Sequence, residues 1–329
     1  MHLSRIPAGM RYYLGDEARL RRSVEANAMS VFDRWHYEEI TTPAVDYYLL
    51  FEHGMGKAEA ERGFRFTDND GRLLTLRPDI TSSVARAAAT LLANKPRPLR
   101  LCYAAPVFKQ QHQSPAEWRR ETTQLGCELI GAADANADLE ILRLATEILS
   151  QVGLQNSYCI TINSVDIFNG LAEQTSLDGA AREEMRRLID SRDAAELEEF
   201  FHSHPVATET RAAFLQLIKL NGKREVLDEA RRFITNQRSI SALDSLIQLW
   251  QSIESLSLAS LIEIDLADVS SLDYYTGLNF KIFVKGAGAR VGRGGRYDSL
   301  ISNFGRDEPA IGFVLNLDGL TDVLLRKSS

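Results

Sequence analysis

Three positions with different chemistry alternate along one stretch of the sequence: Gln124, Gly126 and Glu128. Successive side chains of a β-strand point to opposite faces, so these three share one face, while Leu125 and Cys127 share the apolar face. The polar face presents an amide, a gap without a side chain and a carboxylate, about 7 Å from first to last at the usual rise per residue. Such a face can bind a small ligand that carries an amine. The alternative is a half-exposed strand whose outer face is simply polar.

Further patterns predict the elements that hold this strand. Residues 99–104 and 119–130 indicate two strands joined by a wide polar loop. Runs of strands with helices beside them, rather than strict alternation, favour an α+β fold with a mainly antiparallel sheet. The other predicted elements are helices over 16–35 (with Asp16 as N-cap), 80–94, 137–152 and 317–325, a hairpin over 63–76, and strands over 158–163, 261–266, 278–284 and 309–315.

The sequence pattern changes between residues 178 and 256, where every pattern is helical and no strand is predicted. We interpret 176–256 as a helical insertion subdomain, and 1–175 together with 257–329 as the core. The length of 329 residues is consistent with about two domains.

The composition is that of an ordinary soluble globular protein, with 44% hydrophobic and 25% charged residues. The net charge of -7 gives no overall basic field, so the sequence does not favour a nucleic-acid partner. Cys102, Cys127 and Cys159 include no Cys-x-x-Cys pair, which is typical of reduced cysteines in a cytosolic protein. The N-terminus has no apolar signal segment, and no run approaches about 18 apolar residues. We therefore expect a cytoplasmic protein with no membrane partner.

Two other motifs contain residue types that can take part in ligand binding. Tyr274 and Tyr275 follow Asp273, and two adjacent tyrosines cannot both face the core from one strand, so one hydroxyl can line a cavity. Residues 294–298, Gly-Gly-Arg-Tyr-Asp, lack the Lys-Ser/Thr of a phosphate-binding loop and predict a turn at which two backbones approach closely. The histidines are too sparse for a metal site, and no pattern indicates a cofactor.

Six motifs occur in an order that resembles the catalytic core of class II histidyl-tRNA synthetase, over essentially the whole chain. They are Pro43 after an amphipathic helix and the segments 76–81, 108–131, 272–277, 295–298 and 309–313. The resemblance implies a class II aminoacyl-tRNA synthetase-like antiparallel sheet of roughly six or seven strands, flanked by helices and carrying the helical insertion. It also implies a dimer that forms near Pro43.

The sequence departs from that family where the synthetase holds ATP and activates histidine. Ser270 and Gly319 stand at positions of arginines, and Lys109 and Gln111 replace an Arg-x-Glu pair. Adenylation needs fixed cations at the developing phosphate charge, and loss of one such group typically costs about 10²–10³ in rate. Lysine does not reproduce the guanidinium fork. We also expect no anticodon-binding domain after Ser329. The departures therefore predict a protein that is not an enzyme.

By contrast, the sequence matches the synthetase at the positions that contact histidine. Asp79 and Thr81 match the residues that hold the α-amine. The sequence thus keeps the residues of the amino-acid pocket but lacks residues of the nucleotide site. In this combination it resembles the synthetase paralogues that serve as regulatory subunits of ATP phosphoribosyltransferase. The resemblance assigns seven residues to binding of histidine as an effector: Asp79, Thr81, Lys109, Gln124, Glu128, Tyr274 and Tyr275.

The resemblance to these regulatory subunits also implies partners. We expect a homodimer alone, a hetero-octamer with the short-form catalytic subunit, and feedback by L-histidine on the first step of histidine biosynthesis. No catalytic, cofactor-binding or metal-binding residues are expected. Two alternatives stay open: an enzyme that adenylates histidine, and a regulator that senses uncharged tRNA. The acidic charge balance and the expected lack of an anticodon-binding domain count against the second.

Overall fold

The computed structural model of the protein describes residues 4–110, 118–269 and 275–328. The chain forms two compact units. Unit 1 consists of Met1–Tyr158 and Ile282–Ser329, and unit 2 of Cys159–Lys281. The predicted division into a core and an insertion at 176–256 has different bounds and stays a prediction.

The described residues form twelve strands and twelve α-helices. The strands are β1 (Glu38–Glu39), β2 (Val45–Tyr47), β3 (Arg65–Thr67), β4 (Leu73–Leu76), β5 (Leu99–Phe108), β6 (Glu121–Ile130), β7 (Tyr158–Ser164), β8 (Asn221–Gly222), β9 (Ile262–Asp265), β10 (Leu278–Val284), β11 (Gly292–Arg296) and β12 (Ala310–Asn316). The helices are α1 (Gly15–Arg34), α2 (Tyr48–Met55), α3 (Lys57–Ala60), α4 (Thr81–Ala89), α5 (Ala135–Gln151), α6 (Val165–Ala172), α7 (Gly179–Ser191), α8 (Ala194–Ser203), α9 (Thr208–Leu217), α10 (Glu225–Ala230), α11 (Gln237–Ser255) and α12 (Leu317–Ser328).

Five strands of unit 1 lie in the order β1-β5-β6-β12-β11. β5, β6, β12 and β11 pair antiparallel, while β1 pairs parallel with β5. Helices α1, α4 and α12 pack against β6. The strand is therefore buried on both faces over its second half, from Leu125 to Ile130. The predicted α+β class, with helices flanking a mainly antiparallel sheet, is confirmed, and Glu128 lies in the buried half of its central strand.

Two helices of unit 1 differ from their predicted bounds. α1 begins at Gly15 after Leu14, so the prediction that Asp16 is the N-cap is wrong. Asp16 lies instead in the first turn, where a carboxylate is favoured by the positive end of the helix dipole. α4 ends at Ala89 rather than at residue 94, because the chain continues in turns toward Pro96.

A separate sheet of unit 1 contains three short strands in the order β2-β4-β3. The predicted hairpin is confirmed, since β3 and β4 pair antiparallel. In its turn the Asp68 carboxylate accepts hydrogen bonds from the backbone amides of Asp70 (2.9 Å) and Arg72 (2.8 Å). Gly71 has a φ of 77°, which glycine adopts without strain.

Unit 2 is largely helical, from α6 to α11, with Phe201, Phe214 and Trp250 in its core. β7 and β9 pair parallel, and β8 pairs antiparallel with β9. Because β8 lies within residues 178–256, the prediction that this segment has no strand is wrong. A strand of two residues is too short to show an alternating pattern.

The strand count also differs from the expectation. Among the described residues, nine strands lie outside the small sheet, compared with the roughly six or seven that the resemblance implies. The excess consists of the two-residue strands β1 and β8. Across the parts of the chain that the structure describes, no helix is both long and apolar enough to cross a membrane.

Candidate ligand-binding site

Glu128 on β6 is a buried carboxylate held by three hydroxyl groups. Glu128 is only 1% exposed. Thr81 Oγ1 and Tyr103 Oη donate hydrogen bonds to Oε1 at 2.8 and 2.9 Å, and Tyr297 Oη donates to Oε2 at 2.6 Å. Burial raises the pKa of Glu128 to about 7, although the three donors act in the opposite direction. We refer to Glu128, Thr81, Tyr103 and Tyr297 as the Glu128 cluster.

Two glycines leave the space that this cluster occupies. Gly312 on β12 lies opposite Glu128 in the strand register, and a Cβ there would be 1.8 Å from Glu128 Oε2. A Cβ at Gly126 would be 2.7 Å from ring atoms of Tyr103, which is its partner on β5. The expected gap at Gly126 is therefore filled by the Tyr103 ring and is not open to a ligand.

Asp79 stands at the start of α4 and already has partners in that helix. Its Oδ1 accepts a hydrogen bond from the backbone amide of Thr81 at 2.7 Å, and its Oδ2 accepts one from Ser82 Oγ at 2.9 Å. A carboxylate at a helix N-terminus satisfies amides that have no intrahelical acceptor. Each oxygen keeps further acceptor capacity for a ligand. Thr81 joins the two groups, because its amide binds Asp79 and its hydroxyl binds Glu128.

Unit 1 also contains a cavity of about 360 Å³. Lys109 and Gln124 line it, and so does Gly319. Gln124 Oε1 is buried and accepts no hydrogen bond from any group in the described part of the chain, so a ligand donor would satisfy it. Seven cationic side chains and one carboxylate, Asp322, are among the described lining residues; the cations are Arg62, Lys109, Arg119, Arg120, Arg290, Arg293 and Arg326.

A second buried carboxylate, Glu59 in α3, contacts two of these cations. Arg62 Nη1 lies 2.7 and 2.8 Å from the two oxygens of Glu59, and Lys109 Nζ lies 3.4 Å from Oε2. Burial alone would raise the pKa of Glu59, but Lys109, Arg62 and Arg293 hold it at about 2. Burial and the nearby Arg293 lower the pKa of Lys109 to about 8, against the attraction of Glu59.

The predicted histidine-binding residues thus fall into separate groups. Asp79, Thr81 and Glu128 are connected by hydrogen bonds but are not among the described residues that line the cavity, whereas Lys109 and Gln124 line it. Tyr275 belongs to unit 2 and is partly exposed. Tyr274, together with Ser270 and Gln111 of the departures, lies outside the described residues.

The sequence did not identify two members of the Glu128 cluster, Tyr103 and Tyr297. Tyr297 lies in the Gly-Gly-Arg-Tyr-Asp motif, whose sequence predicts only a turn at which two backbones approach closely. That motif does contact β12, because Asp298 accepts a hydrogen bond from the Ala310 amide at 3.0 Å. Tyr103 could have been found by pairing the two predicted strands, which places it beside Gly126.

Comparison with known proteins agrees with this fold. A family model described as histidyl-tRNA synthetase matches residues 9–320. The chain is 35% identical over 312 residues to the ATP phosphoribosyltransferase regulatory subunit of Acetivibrio thermocellus, covering 95% of this chain and 74% of that relative. It is also 35% identical over 315 residues to the protein of the same name from Moorella thermoacetica, covering 96% and 80% of the two chains.

A solved structure gives the same result. The crystal structure of an ATP phosphoribosyltransferase regulatory subunit/histidyl-tRNA synthetase from Bacillus halodurans C matches with a TM-score of 0.89 at 29% identity, covering 98% of this chain and 84% of that one. The fold is therefore that of a class II synthetase of the histidyl-tRNA synthetase type. Within that class, the chain belongs to the family of ATP phosphoribosyltransferase regulatory subunits.

Proposed function

We propose that this chain is a non-catalytic regulatory subunit of ATP phosphoribosyltransferase, which supports the first step of histidine biosynthesis and makes it sensitive to L-histidine. The observation that carries the proposal is the Glu128 cluster. A buried carboxylate with three hydroxyl neighbours suits recognition of an imidazole N–H or an ammonium group, because charge-assisted hydrogen bonds in a buried site are strong. Asp79 supplies a second carboxylate connected to the cluster through Thr81.

Histidine binding is proposed at the seven residues assigned by the resemblance. Gln124 supports this because its Oε1 is a buried acceptor with no donor among the described residues. Lys109 supplies a cation for the carboxylate of the amino acid. This role matters because Ser270 stands where the synthetase has an arginine.

The absence of catalysis rests on the same departures. Gly319 lines the cavity without a side chain, and Lys109 replaces an arginine there. A synthetase needs such arginines in place to stabilise the phosphate charge of adenylation. We propose that the chain does not activate histidine and that it functions in the cytoplasm through its catalytic partner. The partner is the short-form catalytic subunit, with a hetero-octamer as the expected assembly.

Two measurements on the purified chain test this proposal. Mixed with a short-form ATP phosphoribosyltransferase catalytic subunit, it should elute with that subunit in size-exclusion chromatography. Alone, it should show no histidine-dependent exchange of pyrophosphate into ATP above a buffer blank. Measurable exchange would favour the adenylating enzyme instead, and separate elution at micromolar concentration would contradict the regulatory assignment.

A further inference from the structure

Two buried amide side chains of unit 2 donate hydrogen bonds to the same backbone carbonyl. Asn163 at the end of β7 and Asn279 on β10 are only 1% and 2% exposed. Asn163 Nδ2 donates to the carbonyl oxygen of Asp268 at 3.0 Å, and Asn279 Nδ2 donates to it at 3.2 Å. Asn163 Nδ2 also lies 3.4 Å from the carbonyl oxygen of Leu266. Side chains of two strands therefore fix the backbone at Asp268.

The side chain of Asp268 is held as well. Asp268 is buried, and its Oδ1 lies 2.5 Å from Lys281 Nζ. Lys281 Nζ also lies 3.5 Å from Oδ1 of Asp190 in α7. A buried carboxylate is costly to separate from its cation. The ion pair with Lys281 therefore restrains Asp268 in addition to the two amides.

The chain that begins at Asp268 is also anchored further along, at Gly277. The backbone amide of Val165, the first residue of α6, donates to the Gly277 carbonyl at 3.0 Å. The first amides of a helix have no intrahelical acceptor, so a carbonyl from outside the helix satisfies one of them. Asn163 and Val165 are two positions apart, and Tyr275 is two positions before Gly277. The junction of β7 and α6 thus binds the chain on both sides of Tyr275.

The two amides lower the stability of the site in which they lie. Oδ1 of Asn163 and Oδ1 of Asn279 are buried and accept no hydrogen bond from any residue that the structure describes. A buried acceptor without a donor costs free energy, and an apolar side chain in its place would avoid that cost. The amides provide what an apolar side chain lacks, which is a donor to the Asp268 carbonyl.

We propose that Asn163 is a positioning residue for the binding of histidine. It fixes the backbone at Asp268, from which the chain continues to Tyr275, and it acts through these residues rather than by contact with the ligand. The inference rests on the proposed function, because Tyr275 is a histidine-binding residue only within that proposal. A ligand binds more tightly to a side chain that is already held in place, since less conformational freedom is lost on binding.

Isothermal calorimetry with L-histidine on the purified full chain, beside thermal melting, tests this role. Asn163→Ala removes the donor, so histidine affinity should fall by about three- to thirtyfold, as expected for the loss of one or two hydrogen bonds. Leu197→Ala is the matched control, because Leu197 is fully buried in α8, which packs on α7 and α9 of unit 2. It should lower the melting temperature and leave the affinity unchanged.

The melting curves show whether Asn163→Ala is folded, and Asn279→Ala, which removes the second donor to Asp268, replaces it if it is not. Lost affinity in the amide variant beside retained affinity in Leu197→Ala supports the positioning role. Unchanged affinity in the folded amide variant, or an equal loss in both variants, overturns it. If the native chain itself binds no histidine, the proposed histidine site fails and this inference fails with it. Native binding that survives in the amide variant contradicts the inference alone.

Discussion

Glu128 is the buried carboxylate on which the proposed histidine site is centred. Its carboxylate is buried, has three hydroxyl donors and has a pKa near neutrality. A residue in this state is sensitive both to its partners and to pH. Two predictions at the residue scale separate a binding role of Glu128 from a purely structural one.

Glu128→Gln keeps the shape of the side chain and removes its charge. If the Glu128 cluster binds histidine, affinity should fall by one to three decades, at roughly 1.4 kcal/mol per decade. Isothermal calorimetry on the chain and inhibition curves on the assembled enzyme measure this. Glu121→Gln, an exposed position on the same strand, should leave both unchanged. Unaltered affinity and inhibition in Glu128→Gln would mean that histidine binds elsewhere.

The raised pKa of Glu128 also predicts how stability depends on pH. The buried carboxyl holds its proton to about pH 7, whereas the unfolded chain releases it near the ordinary value of 4.5. The folded state therefore binds more protons between these values, and the stability contributed by this group is lost as pH rises through 7. Relative to Glu128→Gln, the unfolding free energy of the native protein should fall by about 1–3 kcal/mol between pH 4.5 and pH 8. Urea denaturation at several pH values checks this, and a difference that stays constant or grows would contradict the assigned pKa.

At the scale of elements, the site depends on the close approach of β6 and β12. Gly312 is the contact point, because an added Cβ would also lie 2.4 Å from the Cys127 carbonyl. We expect Gly312→Ala to destabilise the fold by about 1–3 kcal/mol, the usual cost of overpacking. In Gly319→Ala the new Cβ meets nothing closer than 3.6 Å and lies in α12, so stability should be unchanged or slightly higher. Chemical denaturation of the two variants compares them, and equal stabilities would show that β12 can move away from Glu128.

The sequence predicts those helices and strands that are long and have a regular pattern of apolar residues. β5, β6 and β12 run for seven or more residues, and α1 repeats its apolar positions along one face, so their existence could be predicted. The strands β1 and β8 have two residues each and carry no period. Their existence is decided by the neighbouring strand, which the local sequence does not specify.

The site could be predicted only where neighbours in sequence are neighbours in space. The alternation of Gln124, Gly126 and Glu128 indicated a polar face. The hydroxyl of Tyr297 reaches Glu128 from 169 positions away, and Arg62 and Arg293 reach the cavity from separate elements. Such contacts depend on strand order and register. They cannot be predicted from composition or from the spacing of residues in the sequence.

At the scale of the whole molecule, the small sheet of unit 1 presents an apolar face. Tyr47 and Phe66 both pair with Leu74 in the register of β2-β4-β3, so they share one face with Val45. These three side chains are between 40% and 44% exposed. Apolar groups clustered on one face are typical of an interaction surface. The expected homodimer near Pro43 would cover them.

Phe66→Glu places a charge in this face and should convert the dimer into a monomer. Leu91→Glu is the control, because Leu91 is 86% exposed and lies outside the small sheet. Size-exclusion chromatography with light scattering gives the masses. A native protein that is monomeric at micromolar concentration, or a Phe66→Glu variant that stays dimeric, would contradict this location of the interface.

The central claim is that the chain regulates a catalytic partner, and one titration tests it most directly. ATP phosphoribosyltransferase activity is measured for the short-form catalytic subunit alone, with the native chain, and with increasing L-histidine. We predict low activity alone, a large gain that saturates as the chain is added, and inhibition by histidine only in its presence. Activity that is the same with and without the chain, and equally insensitive to histidine, would contradict the account.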